Sequence, residues 1–184
     1  MTEDPTGPRL SLVIPLYNEA DRMDRLEQGL THFIGENRSI PFEAVLVDDG
    51  SRDDTFRMLQ DVKARLENKS PLLRGITVLR IDQNVGKGGT LKRGVAAAQG
   101  DWILTLDADM AAEPTELLAW QKRFPDVLDL ARDSSSYQAV FIGSREHPDS
   151  DTRDKLSRRV IGRIFNLLVQ VTNGLDLDDT QCGF

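Results

Sequence analysis

Asp107-Ala108-Asp109 sets two carboxylates one residue apart, directly after the short apolar run Trp102 to Leu106. Two negative charges so close repel each other. A solvated turn tolerates them, and a hard divalent cation with oxygen ligands makes use of them. An acidic pair alone is common, so its setting decides. Similar polar clusters follow other apolar runs: Tyr17-Asn18-Glu19, Asp48-Asp49 and Ser144-Arg145. Asn84 to Gly89 is glycine-rich and carries Lys87. Its spacing is not that of a Walker motif and fits the dinucleotide fingerprint only loosely. A strand-to-helix turn that needs glycine explains part of it. Lys87 and the amino end of the following helix could also neutralise a diphosphate. His32 and His147 have no spaced partners and read as surface residues, so no Ser-His-Asp or Cys-His arrangement is available. Met23, Met58 and Met110 read as packing or loop residues.

The elements that must position these groups follow from hydrophobic periodicity. Leu10–Leu16 reads as the first strand, with pairing expected to stop near Pro15, which has no N–H to donate. Met23, Leu26, Leu30 and Phe33 fall at helical spacing within a predicted helix over 21–33. Phe42–Val47 is the second strand, and Asp53 or Asp54 can cap the helix that runs to about Asn68. Ile76–Ile81 is the third strand, followed by a helix to about Gln99. Trp102–Leu106 is the fourth and reads as a buried strand. Pro114 can open a helix through Arg123, and Ala139–Ile142 is a fifth strand. A last helix spans about 154–172. Strands alternating with helices predict an α/β fold, a doubly wound and mainly parallel sheet flanked by helices. Such a sheet brings the polar clusters at its carboxyl ends to one edge, where open α/β sheets bind ligands.

Composition narrows the function classes. The 184 residues suit one domain, expected over 10–184 after a disordered lead over 1–9. Apolar content of 39% and charged content of 29% describe a globular chain. The net charge of −7 opposes general affinity for nucleic acid, so an anionic ligand needs local cations or a metal. A single cysteine, Cys182, excludes an internal disulfide and fits a reducing, cytoplasmic compartment. No apolar stretch reaches the roughly 20 residues that span a bilayer. The helix over 155–172 has an apolar stripe, and Lys155, Arg158, Arg159 and Arg163 crowd its first half. It reads equally as a core helix with a charged side and as a surface for anionic headgroups on the cytoplasmic face of a membrane. Nothing in the sequence sets an oligomeric state.

Taken together, Pro15-Leu16-Tyr17-Asn18-Glu19, Val47-Asp48-Asp49-Gly50-Ser51, Asn84-Val85-Gly86-Lys87-Gly88 and Asp107-Ala108-Asp109 resemble the family 2 glycosyltransferases of the GT-A nucleotide-diphospho-sugar transferase fold. Order and spacing both agree, and the resemblance covers nearly everything from Leu10 to Phe184. Gly143-Ser144-Arg145 and the closing Asp179-Thr180-Gln181-Cys182-Gly183-Phe184 look like the polyprenyl-phosphate hexose synthases. The closing motif is nearer in pattern to dolichyl-phosphate β-glucosyltransferases than to mannose synthases.

The resemblance implies roles. Tyr17 lies against the nucleotide base, with Pro15, Glu19, Val47 and Ala108 shaping the donor pocket and Lys87 beside it. Asp49 bonds the base or ribose. Asp107 and Asp109 surround Mg²⁺ or Mn²⁺ on the donor diphosphate. Arg145, Arg159, Arg163 and Gln181 meet phosphate groups of donor or acceptor. Asp179 is the base if the acceptor is neutral. The implied reaction is an inverting transfer of a hexose, glucose from UDP-glucose by the closing motif, to a polyprenyl phosphate. The resemblance also implies an apparent truncation, because Phe184 falls inside a motif after which family members continue. Two rivals stand beside this reading: transfer to a soluble or polysaccharide acceptor, and a catalytically silent nucleotide-sugar binding module.

Overall fold

Among the described residues, four parallel strands in the order β3-β2-β1-β4 make the sheet: β1 Leu10–Leu16, β2 Phe42–Asp48, β3 Leu73–Arg80 and β4 Trp102–Thr105. These coordinates are a computed structural model, which describes residue 7 and residues 9–125. They all fall within one compact unit, Met1–Gln138. The expected strand over 139–142 and helix over 154–172 lie outside the described residues. So do residues 1–6 and 8 of the expected lead. Arg9, placed in that lead by the sequence, belongs instead to the sheet's margin. Its N–H donates to the Pro41 carbonyl at 2.8 Å, and its own carbonyl accepts from Trp102 N at 3.0 Å.

The helices cover both faces. The sheet grows outward from β1 through β2 to β3, then returns to the other side of β1 for β4. Right-handed crossovers therefore put the first two helices on one face and the third on the other. α1, Met23–Glu36, follows a 3₁₀ turn at Ala20–Arg22 and sets Phe33 edge-on against Phe42, with ring centroids 4.9 Å apart. Its buried residues include Met23, Leu26, Leu30 and Phe33, as the spacing predicts. α2, Thr55–Leu66, buries Leu59, Val62 and Leu66. α3, Gly86–Ala97, lies on the opposite face, over Val13, Val45 and Val47. Gly94 makes that approach possible, since a Cβ there would collide with Val13 Cγ1 and press on Val47 Cγ2 at 3.1 Å. α4, Thr115–Arg123, begins directly after Pro114. Leu12, Ile14 and Leu46 have 0% exposure. Each contributes about 1.5–3 kcal/mol by burial, more than the about 0–1 kcal/mol of an exposed ion pair.

Pro15 has a one-sided effect. Arg9 and Val13 bond toward β4, through Trp102 N and Leu106 N, while Leu16 bonds toward β2 through Asp49 N. Alternation puts Pro15 on Val13's side, so its missing donor faces β4. Pairing with β4 accordingly ends at Val13↔Thr105, whereas pairing with β2 runs on to Leu16↔Asp48. The two strands part just where the chain order reverses, which opens a crevice at their carboxyl ends.

One further expectation is corrected and another refined. β4 is only partly buried, with Ile103 42% exposed. Its apolar run faces the core through Leu104 and, just beyond the strand, Leu106. Asp54 occupies the N-cap position of α2 but makes no side-chain cap bond, and the Asp53 carboxylate takes the helix's first N–H. Asp53 accepts from Thr55 N at 3.0 Å and Thr55 Oγ1 at 2.6 Å, and from Ala20 N at 3.2 Å in the neighbouring 3₁₀ turn.

Candidate active site

The crevice holds a cleft of about 490 Å³ whose walls come from four loops. Pro15, Tyr17 and Glu19 arrive from the end of β1, Asp49 from β2, Gly86 and Lys87 from the start of α3, and Asp107, Ala108 and Asp109 from β4. Eight expected donor-side residues thus share one cleft. Val47 does not: it is wholly buried beneath α3 in the core, so its role is support for the wall. Asp179, Arg145, Arg159, Arg163 and Gln181 lie outside the described residues.

The β1 loop is pinned to the β2 loop. Asn18 takes a left-handed conformation, φ 53°, which asparagine tolerates better than most residues. Its N–H donates to Ser51 Oγ at 2.9 Å, and its Oδ1 accepts from Arg52 N at 2.9 Å. Glu19 N donates to Thr55 Oγ1 at 2.8 Å. Burial pushes the Asp53 carboxyl up, but hydrogen bonds from Thr55 and Ala20 outweigh it and hold the group below its ordinary 3.8. These contacts fix the aim of Tyr17 and Glu19. Arg22 joins the cleft wall with both Glu19 oxygens on its Nη1, at 3.3 and 3.0 Å.

Asp49 is buried and both its oxygens are occupied. Oδ1 accepts from Val85 N at 2.8 Å and Oδ2 from Gly86 N at 2.9 Å. It therefore receives two of the N–H groups that the start of α3 leaves without helical partners. Gly50 and Gly86, at φ +71° and +80°, supply the backbone angles for this junction. A Cβ on Gly50 would also crowd the Ile81 carbonyl at 3.1 Å. Asp48 beside it is fully buried, with Arg80 Nε 3.6 Å from its Oδ2. Arg80 also lies over the Phe56 ring at 4.8 Å and donates to the Ser51 carbonyl at 3.4 Å.

The acidic pair splits its duties. Asp107 is half-buried, and its Oδ1 lies 2.5 Å from the Lys87 ammonium. Asp109 is exposed, and its Oδ1 accepts from Ala111 N at 3.0 Å. Met110 follows at φ 52°, a costly angle for its type, and buries its side chain against Gly29 of α1. That contact locks the turn bearing both carboxylates to the core. Among the described residues, no group of three or more His, Cys, Asp or Glu could hold a metal ion alone. Two carboxylates still fit Mg²⁺ or Mn²⁺, because such ions take one or two carboxylates and complete their shell with water and substrate phosphate. Lys87 on Asp107 shows that this carboxylate already supports a cation.

Sequence reading missed Asn18, Ser51, Arg52 and Thr55 as the staple between loops, and Arg22 and Thr90 on the cleft wall. Asn followed by a polar residue at a strand end is a detectable turn signal. The pairing of loops distant in sequence is not. His32 is exposed as expected but is not without a partner: its Nδ1 meets Glu113 Oε2 at 2.7 Å.

Comparison with known proteins agrees with this geometry. The family described as "Glycosyl transferase family 2" matches residues 11–175. A dolichyl-phosphate β-glucosyltransferase of Dictyostelium discoideum is 30% identical over 95% of this chain and 52% of its own. An undecaprenyl-phosphate 4-deoxy-4-formamido-L-arabinose transferase of Pseudomonas syringae is 32% identical over 94% of this chain and 45% of its own. The chain thus spans about half the length of these curated relatives. Among solved structures, S. aureus TarS 1-349 in complex with UDP-GlcNAc superposes with a TM-score of 0.52 at 23% identity, over 64% of this chain and 31% of that one. That likeness establishes a GT-A fold. With its parallel sheet and reversed strand order agreeing, the chain belongs to glycosyltransferase family 2.

Proposed function

We propose that the cleft binds a nucleotide sugar, UDP-glucose, and that the protein transfers the hexose with inversion to a polyprenyl phosphate of the dolichyl type. The reading is supported by one observation above others: Tyr17, Asp49, Lys87, Asp107 and Asp109, from separate loops, line a single cleft at the reversal of strand order. The names of the relatives, which act on lipid phosphates, support the acceptor. Tyr17 offers an exposed ring for a base to stack on. Asp107 and Asp109 are the residues that would hold Mg²⁺ or Mn²⁺. When bound, the cation supplies Lewis-acid stabilisation of the charge that builds on the leaving group. Lys87 and the amino end of α3 add positive potential on the same side.

The acceptor's phosphate oxygen attacks the anomeric carbon, and the bond from that carbon to the diphosphate oxygen breaks. The electron pair leaves with the nucleoside diphosphate. A lipid phosphate is largely ionised near neutral pH, by analogy with a second phosphate pKa of about 6. No base is then required, and the chain's work is orientation and charge stabilisation. Arg145, Arg159, Arg163 and Gln181 are assigned to phosphate groups, and Asp179 to proton removal only if a hydroxyl acceptor is used. The segment 155–172, which the sequence predicts to be a helix, is assigned peripheral contact with the cytoplasmic face of the membrane. No helix among the described residues is long and apolar enough to cross one.

The test is transfer of labelled glucose from UDP-glucose to dolichyl phosphate in detergent, with GDP-mannose and UDP-GlcNAc as competing donors and Mn²⁺ present or chelated. Metal-dependent formation of an acid-labile glucosyl lipid is expected. Product only with a soluble acceptor would move the reading to the first rival. Donor binding with no transfer or hydrolysis to any acceptor would leave a binding module.

A further inference from the structure

In the cleft, Asp107 already has a cation on it. Lys87 is the second residue of α3, and its ammonium sits 2.5 Å from Asp107 Oδ1. The backbone that carries Lys87 is fixed. Val85 and Gly86 are held by Asp49, and Gly86 occupies a φ of +80° that other residues rarely adopt. The lysine side chain itself is 58% exposed, and its four-carbon stem turns freely. The movable part of this junction is therefore the ammonium. Asp109 accepts from Ala111 N through Oδ1, which leaves its Oδ2 for a metal beside Asp107.

A divalent ion bound to that same oxygen of Asp107 at about 2.1 Å would lie about 4 Å from the ammonium. At this separation a +2 and a +1 charge repel by more than tenfold in binding, even at the dielectric of bulk water. The two cannot both be held well by Asp107. A diphosphate changes the balance, since it offers Lys87 new acceptor oxygens close by and brings further ligands for the metal.

Building on the donor reading above, we propose that Lys87 is a placeholder cation. It neutralises Asp107 while the cleft is empty and opposes a metal arriving alone. It moves to the diphosphate when the donor enters, so that cation binding is conditional on donor. Lys87 is thus a positioning residue that enforces joint binding of metal and nucleotide. By linkage, the metal must raise nucleotide affinity by the same factor as nucleotide raises metal affinity.

The experiment measures Mn²⁺ binding directly, by the loss of the free-ion paramagnetic resonance signal, for the wild type, Lys87→Met and Lys87→Arg, each with and without UDP. Wild type should bind Mn²⁺ weakly alone and at least tenfold more tightly with UDP. Lys87→Met should bind Mn²⁺ alone at least tenfold more tightly than wild type and gain less from UDP. Lys87→Arg, which keeps the charge, should behave like wild type. Lys87 is exposed, so melting curves should show all three proteins equally folded. Equal Mn²⁺ affinity of wild type and Lys87→Met without UDP overturns the placeholder role and leaves the donor reading standing. Absence of Mn²⁺ binding in every protein, with or without UDP, overturns both.

Discussion

Replacing Asp49 by asparagine tests whether the cleft is built on a helix cap. Both carboxylate oxygens accept backbone N–H bonds, at 2.8 and 2.9 Å, from the first residues of α3. Hydrogen bonds to a charged group contribute about 1.5–3 kcal/mol each. An asparagine keeps one acceptor and turns its NH₂ toward the other N–H, so one bond is lost and a donor faces a donor. The negative charge at the helix amino end, worth about 0.3–1 kcal/mol, is lost as well. The sum is a destabilisation of about 2–4 kcal/mol, or a fall in Tm of roughly 5–15 °C for a chain of this size. Urea unfolding with fitted m-values measures it. UDP affinity should fall in parallel, because α3 carries Lys87 into the cleft. A change below about 0.5 kcal/mol, with UDP binding nonetheless lost, would show that Asp49 does not support α3. Asp49 would then be held in place for the base or ribose alone.

Gly94→Ala sets two effects against each other. Alanine favours helix by up to about 1 kcal/mol, but its Cβ would collide with Val13, and overpacking costs about 1–3 kcal/mol. We expect net destabilisation by thermal melting, whereas Gly88→Ala, which meets open space, should stabilise. A hydrogen bond to Glu113, together with the charges of Glu113 and Glu36, raises the His32 pKa above its ordinary 6.5. The raised value means that this contribution is complete below 6.5 and fades as pH rises through the folded value. His32→Gln should therefore remove a decline in Tm on the alkaline side of 6.5. The Arg65 guanidinium, bidentate at 2.7 Å, holds the Glu27 carboxyl below its ordinary 4.5. Stability from this pair is present above 4.5 and lost as pH falls through the lower folded value, so Arg65→Leu should flatten that acid-side decline.

Much of this architecture was legible in the amino-acid order because its signals are local. Apolar spacing at Met23, Leu26, Leu30 and Phe33 located α1, and alternating strands and helices located the parallel sheet. Strand-end polar clusters located the cleft, since a doubly wound sheet sends those ends to one rim. The partners within the cleft were not legible. Asp49 reads as a ligand contact from its motif, yet its oxygens are taken by residues far along the chain. Val47 belongs to the same motif but points into the core, where Gly94 lets α3 close over it. Pro15 foretold an interruption of pairing. Only the three-dimensional register shows that the interruption faces β4 and opens the cleft.

On the proposed reading, acidic groups from β4 and the loops around β1 bind a sugar nucleotide together with a divalent cation. Calorimetric titration of UDP-glucose into wild type and Asp109→Ala, with and without Mn²⁺, tests it most directly. Saturable binding should strengthen at least tenfold with Mn²⁺ in wild type and lose that dependence in Asp109→Ala. Binding that ignores both Mn²⁺ and the Asp109 substitution, or no binding at all, would contradict it.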